Sequence, residues 1–358
     1  MPWIQLRAVS IFYNPQPPNE PSVQPISPPP ASLTIDATAP NAAMLMAGDM
    51  EEVDSVIQHR LASDVVMINQ IAHYIISAGG KRIRPMLVLL FSRALGFAGR
   101  ERFELAATVE FIHTATLLHD DVVDESALRR GRSTANALFG NAASVLVGDF
   151  VYSRAFQMMV SVNRLRVLEV LADATNVIAE GEVLQLMNMH DPDLSVDDYL
   201  RVIRFKTAKL FEASARLGAV LADARPEVEE SCAAYGRALG TAFQLIDDLL
   251  DYEGATAQLG KNVGDDLREG KPTLPLLLAM ERGSPAERDL IRQVIEHGEV
   301  ARLPEIVDIV RHTGAIAATR EAARAEATKA GHALGVLAPS VFREALLELS
   351  IRSVERSS

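Results

Sequence analysis

The chain has 358 residues, with 35 basic against 47 acidic side chains and a net charge of −12, which argues against a nucleic-acid or anionic-membrane surface as its main partner. Apolar residues make up 48% of it and aromatics only 5%, with Ala, Leu and Val dominant, a mix that favours helix over strand. Cys232 is the one cysteine, which excludes an intrachain disulfide or a cysteine-ligated zinc and makes a reducing cytoplasm the expected compartment.

Residues 1–43 carry Asn14-Pro-Gln-Pro-Pro and the run Pro28-Pro-Pro with Arg7 as their single basic residue, and disorder is expected there. A transit peptide wants several arginines and a secretory signal wants an apolar block, so targeting fits poorly, and Met44 and Met46 stand as alternative starts. From Met50 onward apolar residues recur at three and four, as in Val53, Val56, Ile57 and Leu61 or Leu105, Val109 and Ile112, which predicts helices. Breaks are expected at Ala78-Gly-Gly, Gly96 to Gly99, Arg130-Gly-Arg, Asp191-Pro-Asp, Ala224-Arg-Pro, Gly260 to Gly270 and Gly283-Ser-Pro. No linker divides them, so residues 44–358 read as one helical domain. Its apolar runs, Met86–Phe91 and Leu274–Met280, fall far short of the ~20 residues that span a bilayer.

Two acidic clusters interrupt this pattern. Leu118-His-Asp-Asp-Val-Val-Asp-Glu places Asp120 and Asp124 one above the other on a helix, with Asp121 beside them, and His113 and Thr116 continue the stripe upstream. Phe243-Gln-Leu-Ile-Asp-Asp-Leu-Leu-Asp repeats the spacing with Asp247, Asp248 and Asp251, and Gln244 precedes them. A solvated acidic face explains one such cluster, but not two set among Leu and Ile. In a partly dry site each close carboxylate pair costs about 4 kcal/mol before compensation, so the site wants cations. Oxygen donors without His or Cys suit a hard ion, and Mg²⁺, which bridges carboxylates to substrate phosphates, fits better than Ca²⁺.

Cationic groups stand at the segment junctions. Gly79-Gly-Lys81-Arg-Ile-Arg84-Pro85 brings Lys81 and Arg84 to a helix start, where anions are favoured. Arg129, Arg130 and Arg132 follow the first cluster on a loop able to return guanidinium groups over phosphates, and Lys206-Thr207 and Lys261 supply further donors.

Together these residues resemble the all-trans polyprenyl diphosphate synthase family from about residue 50 to the C-terminus. Gly-Gly-Lys81-Arg-Ile-Arg84-Pro, the two aspartate triplets, Lys206-Thr207, Gln244 and Gly260-Lys261-Asn-Val-Gly-Asp-Asp-Leu-Arg-Glu-Gly-Lys271 stand in the order that family has. Phe111-Ile-His-Thr-Ala-Thr-Leu-Leu-His-Asp-Asp-Val-Val-Asp-Glu-Ser looks most like bacterial octaprenyl diphosphate synthases, which make quinone side chains; the proline-rich head is a departure. The resemblance implies an all-α bundle of the isoprenoid synthase type around a central active-site cavity, usually a homodimer, with peripheral membrane contact for product release. It implies Mg²⁺ held by Asp120 and Asp124 on one side and Asp247 and Asp251 on the other. It implies isopentenyl diphosphate bound by Lys81, Arg84, His113 and Arg130. The allylic diphosphate, farnesyl diphosphate by expectation, would meet Arg129, Lys206, Thr207, Gln244 and Lys261. Asp121, Asp248 and Lys271 are further members.

The chemistry then expected is ionisation of the allylic carbon–oxygen bond, with Mg²⁺ and the basic donors stabilising the departing diphosphate. The small residues Ala115 and Thr116, one turn upstream of the first cluster, leave room for a long tail, and an aromatic at Ala115 would shorten the product. A terpene cyclase would leave Lys81, Arg84 and His113 without a purpose, and a silent partner subunit would have lost part of this constellation.

Overall fold

Helix after helix follows Asn41 in the computed structural model, which describes residues 41–77, 79–129, 131–253 and 264–356. The helix Glu101–Val123 carries the first aspartate cluster. Glu101 and Glu104 in its first turn complement the positive end of the helix dipole, and Leu105, Val109, Ile112 and Leu118 bury one side of it. It packs against helices Ile83–Ala94 and Asn141–Ser161. The Ser144 hydroxyl ties it to the latter by donating to the Leu118 carbonyl at 3.0 Å.

The helix Pro226–Glu253 carries the second cluster and packs on helices Lys209–Leu221 and Ala315–Ala333. Gly236 makes the first of these approaches possible. A Cβ there would stand 2.3 Å from the carbonyl oxygen of Phe211, a distance that backbone cannot yield. The same long helix feeds two apolar cores. Leu239 belongs to one with Phe91, Phe111 and Phe211, and Leu245, Ile246 and Leu250 belong to another with Leu276, Ile295 and Val310. Its aspartates thus stand among residues of the second core.

Most of the expected breaks fall between helices. Helix Val66–Ser77 ends before the Gly79-Gly80 turn, helix Leu165–Asn188 ends before Asp191-Pro192, and Ser284 opens helix Pro285–His297 with a capping box that Glu287 completes. The Gly260 to Gly270 break lies outside the described residues up to 263. Two features went unforeseen. Residues Leu128–Arg129 and Arg132–Ser133 pair as a short antiparallel ladder after the first cluster, and Arg204–Ala208 winds as a π-helical turn. Short π segments of this kind gather at functional sites.

Cys232 lies on the second-cluster helix at 1% exposure, and burial pushes its thiol up to about 12. The thiolate is the reactive form, so Cys232 is expected to resist Ellman's reagent at pH ~8 in the native protein and to react fully in guanidinium. Rapid native labelling would show that this helix opens.

Among the described residues no helix is long and apolar enough to cross a membrane.

Candidate active site

Both aspartate faces open on one cavity of about 720 Å³. Asp120 and Asp124 line it from the first helix, together with His113 and Thr116, as the stripe predicted. The helix proper ends at Val123, but the amide of Asp124 still donates to the Asp120 carbonyl at 2.8 Å, so the one-turn register holds. Asp121 turns the other way. It is 1% exposed and accepts from Arg129 Nε at 2.8 Å, which clasps the short β-ladder to the helix end. Arg129 still lines the cavity. Ala115 is fully buried and does not reach the cavity wall, whereas Thr116 does.

Asp247, Asp248 and Asp251 line the opposite wall. Asp248 accepts from the Tyr199 hydroxyl at 2.5 Å and from Gln244 Nε2 at 2.7 Å, and Thr207 donates to Gln244 Oε1 at 3.0 Å. This chain fixes Gln244 and Thr207 at the cavity surface. Asp251 accepts from the amides of Gly264 and Asp266 at 3.0 and 3.1 Å, pinning the start of the short helix Asp265–Arg268. Asp247 pairs with Arg356 at 3.0 Å. That arginine arrives from the far end of the chain. The Tyr235 hydroxyl donates to the Leu346 carbonyl at 2.6 Å, anchoring helix Val341–Val354, and Arg356 then lies over the Phe243 ring at 3.9 Å.

Two lysines stand against the first of these walls. Lys206, set out on the π turn, contacts Glu182 Oε2 at 2.6 Å and Asp120 Oδ2 at 3.8 Å. Lys271 contacts Asp124 at 3.2 Å and also pairs with Glu269. Burial works against its charge, but Asp124, Asp266 and Glu269 hold its ammonium above the ordinary lysine range. Lys81 and Arg84 line the same cavity beside His113, and the Arg84 guanidinium lies 4.4 Å over the Phe211 ring. Leu117 and Phe243 are apolar parts of the wall. Arg130 and Lys261 lie outside the described residues.

The carboxylates of this cavity are held against their own charge. Burial, helped by Asp266, pushes Asp251 up to about 8 and Asp248 up to about 7. Burial also raises Asp120, against the pull of Lys206, and brings Glu182 to about 7. An oxygen-only donor set in this state fits a hard divalent cation, which would relieve the repulsion. Among the described residues no three His, Cys, Asp or Glu side chains already converge as a metal site. Donors spread over two walls suit an ion that keeps part of its water and is completed by substrate phosphates.

Sequence reasoning missed Glu182, Tyr199, Asp265 and Arg356, all of which line the cavity. Glu182 follows Glu180-Gly181 on a helix where polar residues such as Asn176, Gln185 and Asn188 recur, so nothing local sets it apart. Arg356 lies 105 residues after Asp251 and nothing in the intervening pattern announces it.

The polyprenyl synthetase family model matches residues 65–310. Octaprenyl diphosphate synthase of Escherichia coli (strain K12) is 58% identical over 313 residues, covering 87% of this chain and 97% of that protein. All-trans-nonaprenyl-diphosphate synthase (geranyl-diphosphate specific) of Rhodobacter capsulatus is 43% identical over 87% of this chain and 96% of its own. Among solved structures, polyprenyl synthase from Caulobacter crescentus CB15, complexed with calcium and isoprenyl diphosphate, superposes with a TM-score of 0.86 at 48% identity, covering 88% of this chain and 97% of that one. The two facing aspartate walls, the helical architecture and this similarity along most of the chain agree, and the chain belongs to the polyprenyl synthetase family.

Proposed function

We propose that this protein is a trans-prenyltransferase that condenses isopentenyl diphosphate units onto an allylic diphosphate, farnesyl diphosphate in our reading, and releases a long-chain all-trans polyprenyl diphosphate. Octaprenyl is the expected length, with quinone side chains as its use, in keeping with the octaprenyl diphosphate synthases at 58% and 52% identity. The observation that carries this reading is the meeting of two aspartate walls and at least four basic side chains, Lys81, Arg84, Lys206 and Lys271, in one cavity.

Asp120, Asp124, Asp247 and Asp251 would hold Mg²⁺, which when bound supplies Lewis-acid stabilisation of the departing diphosphate. The chain's own groups do the rest. Lys206 and Lys271, with Arg129, Thr207 and Gln244, receive the allylic diphosphate where negative charge develops as its carbon–oxygen bond ionises. Lys81, Arg84 and His113 hold isopentenyl diphosphate so that its double bond faces the cation, and the proton lost afterwards goes to the released diphosphate. Leu117 and Phe243 keep water from the cation. Thr116, which lies on the wall, is the chain-length candidate that the geometry supports, ahead of Ala115.

The test is incubation with farnesyl diphosphate, labelled isopentenyl diphosphate and Mg²⁺, with an EDTA control and chain-length analysis. A metal-dependent ladder ending at the octaprenyl stage is expected. Cyclic hydrocarbon formed without isopentenyl diphosphate would refute the reading.

A homodimer in the cytoplasm, with peripheral membrane contact for product release, completes the proposal. Val183, Leu186 and Met187 on one helix face, and Leu146 and Val160 on the preceding helix, are each more than half exposed, and exposed apolar side chains grouped this way suit a subunit interface. Leu186→Glu is expected to shift the protein from dimer to monomer in size-exclusion chromatography with light scattering. A wild-type monomer at micromolar concentration would sink the dimer.

A further inference from the structure

The geometry points to Glu182 as a further residue of the site, one that positions Lys206 beside the first aspartate cluster and keeps it there when Asp120 turns to a cation. This rests on the functional reading above. Glu182 belongs to neither aspartate motif and stands on helix Leu165–Asn188, yet it, not Asp120, is the nearer partner of the Lys206 ammonium, at 2.6 against 3.8 Å.

The neighbouring residue supports the assignment independently. A Cβ at Gly181 would lie 2.5 Å from the backbone nitrogen of Lys206, so the glycine lets the helix meet the π turn at the residue that Glu182 grips. Backbone and ammonium of Lys206 are thus both fixed from one pair of adjacent residues. A lysine has a flexible four-carbon stem, and a charge that stabilises a leaving group is effective only if it is in place beforehand. The second lysine of the cavity repeats the arrangement. Lys271 is shared between Asp124 and Glu269, again one aspartate of the first cluster and one glutamate outside both clusters.

Physical reasoning gives the pairing a direction. Once a cation engages Asp120, the attraction of that aspartate for Lys206 weakens, and an ammonium held by Asp120 alone would be released or pushed away. The Glu182 contact is the shorter one and survives this exchange. Its other oxygen, Oε1, is buried without a hydrogen-bond partner.

The experiment compares wild type, Glu182→Ala, Glu182→Asp, Lys206→Ala and the double variant in kcat and in KM for each substrate. Mg²⁺ affinity of the free proteins by calorimetry and melting temperature are measured alongside. Glu182→Ala should lower kcat roughly 10- to 100-fold, the scale of a misplaced catalytic group, with KM for isopentenyl diphosphate unchanged. Glu182→Asp should recover part of the loss, and the double variant should be no slower than Lys206→Ala. Mg²⁺ affinity and melting temperature should stay near wild type. A kcat within about twofold of wild type, or losses that multiply in the double variant, would overturn the positioning role. A fall in Mg²⁺ affinity of about tenfold or more would overturn it too, by making Glu182 a ligand. Wild-type protein inactive with every allylic diphosphate overturns the functional reading itself, whereas active wild type beside an equally active Glu182→Ala overturns this inference alone.

Discussion

Asp120→Asn is expected to lower kcat by roughly 10²–10³-fold without unfolding the protein. The substitution keeps the shape of the side chain and removes its charge. Asp120 is half-buried on the cavity wall, lies next to Lys206 and is raised above the ordinary carboxylate range by desolvation, so neutralising it takes strain out of the fold. Its melting temperature should therefore match or exceed wild type. What is lost is one negative donor of the wall that would hold Mg²⁺ against the departing diphosphate, a contribution made only as charge develops. Asp247→Asn on the other wall should lower kcat to a similar extent, with the further effect of freeing Arg356 from its 3.0 Å pairing. Single-turnover formation of the first condensation product checks both, since it isolates chemistry from product release. Either variant within about tenfold of wild type would remove that aspartate from the proposed machinery.

Metal-free protein should lose thermal stability as pH rises from about 4 to about 8, and added Mg²⁺ should stabilise it more at the upper end of that range. Asp251 is pushed up to about 8 and Asp248 and Glu182 to about 7, each chiefly by burial. In an unfolded chain the same groups titrate near 3.8 for Asp and 4.5 for Glu. Between those limits the folded protein binds more protons than the unfolded one, so stability is present at low pH and declines as pH climbs through the raised values. A cation shared among the carboxylates removes the reason for the decline. Differential scanning fluorimetry in EDTA and in Mg²⁺ across this range is the measurement. A melting temperature in EDTA that holds steady or rises between about pH 4 and about pH 8 would contradict the mutually repelling carboxylates described above. Asp251→Asn should flatten the EDTA curve while abolishing activity.

The helices, most of their boundaries and the two aspartate faces were determined by the sequence itself. A period of three to four apolar residues suffices to place a helix, and one-turn spacing suffices to align Asp120 with Asp124 and Asp247 with Asp251. The basic residues were legible as candidates because Lys81, Arg84 and Lys206 stand beside turns or polar neighbours in an otherwise apolar frame. Which partner each of them takes was decided only by tertiary structure. Asp121 and Asp120 are adjacent, and no local rule says that one would be sealed against Arg129 while the other faces the cavity. The π turn at Arg204–Ala208 depends on the fit of that segment against Gly181, a contact between two helices. Arg356 joins Asp247 because the Tyr235–Leu346 hydrogen bond returns the last helix to the second cluster. Ala115 and Thr116 are neighbours, but the 100° step between successive helical residues sends only Thr116 to the cavity wall. Local periodicity records which way a side chain points from its own helix. What it meets there is a property of other helices, distant in the chain, and is set when the two cores close around the site.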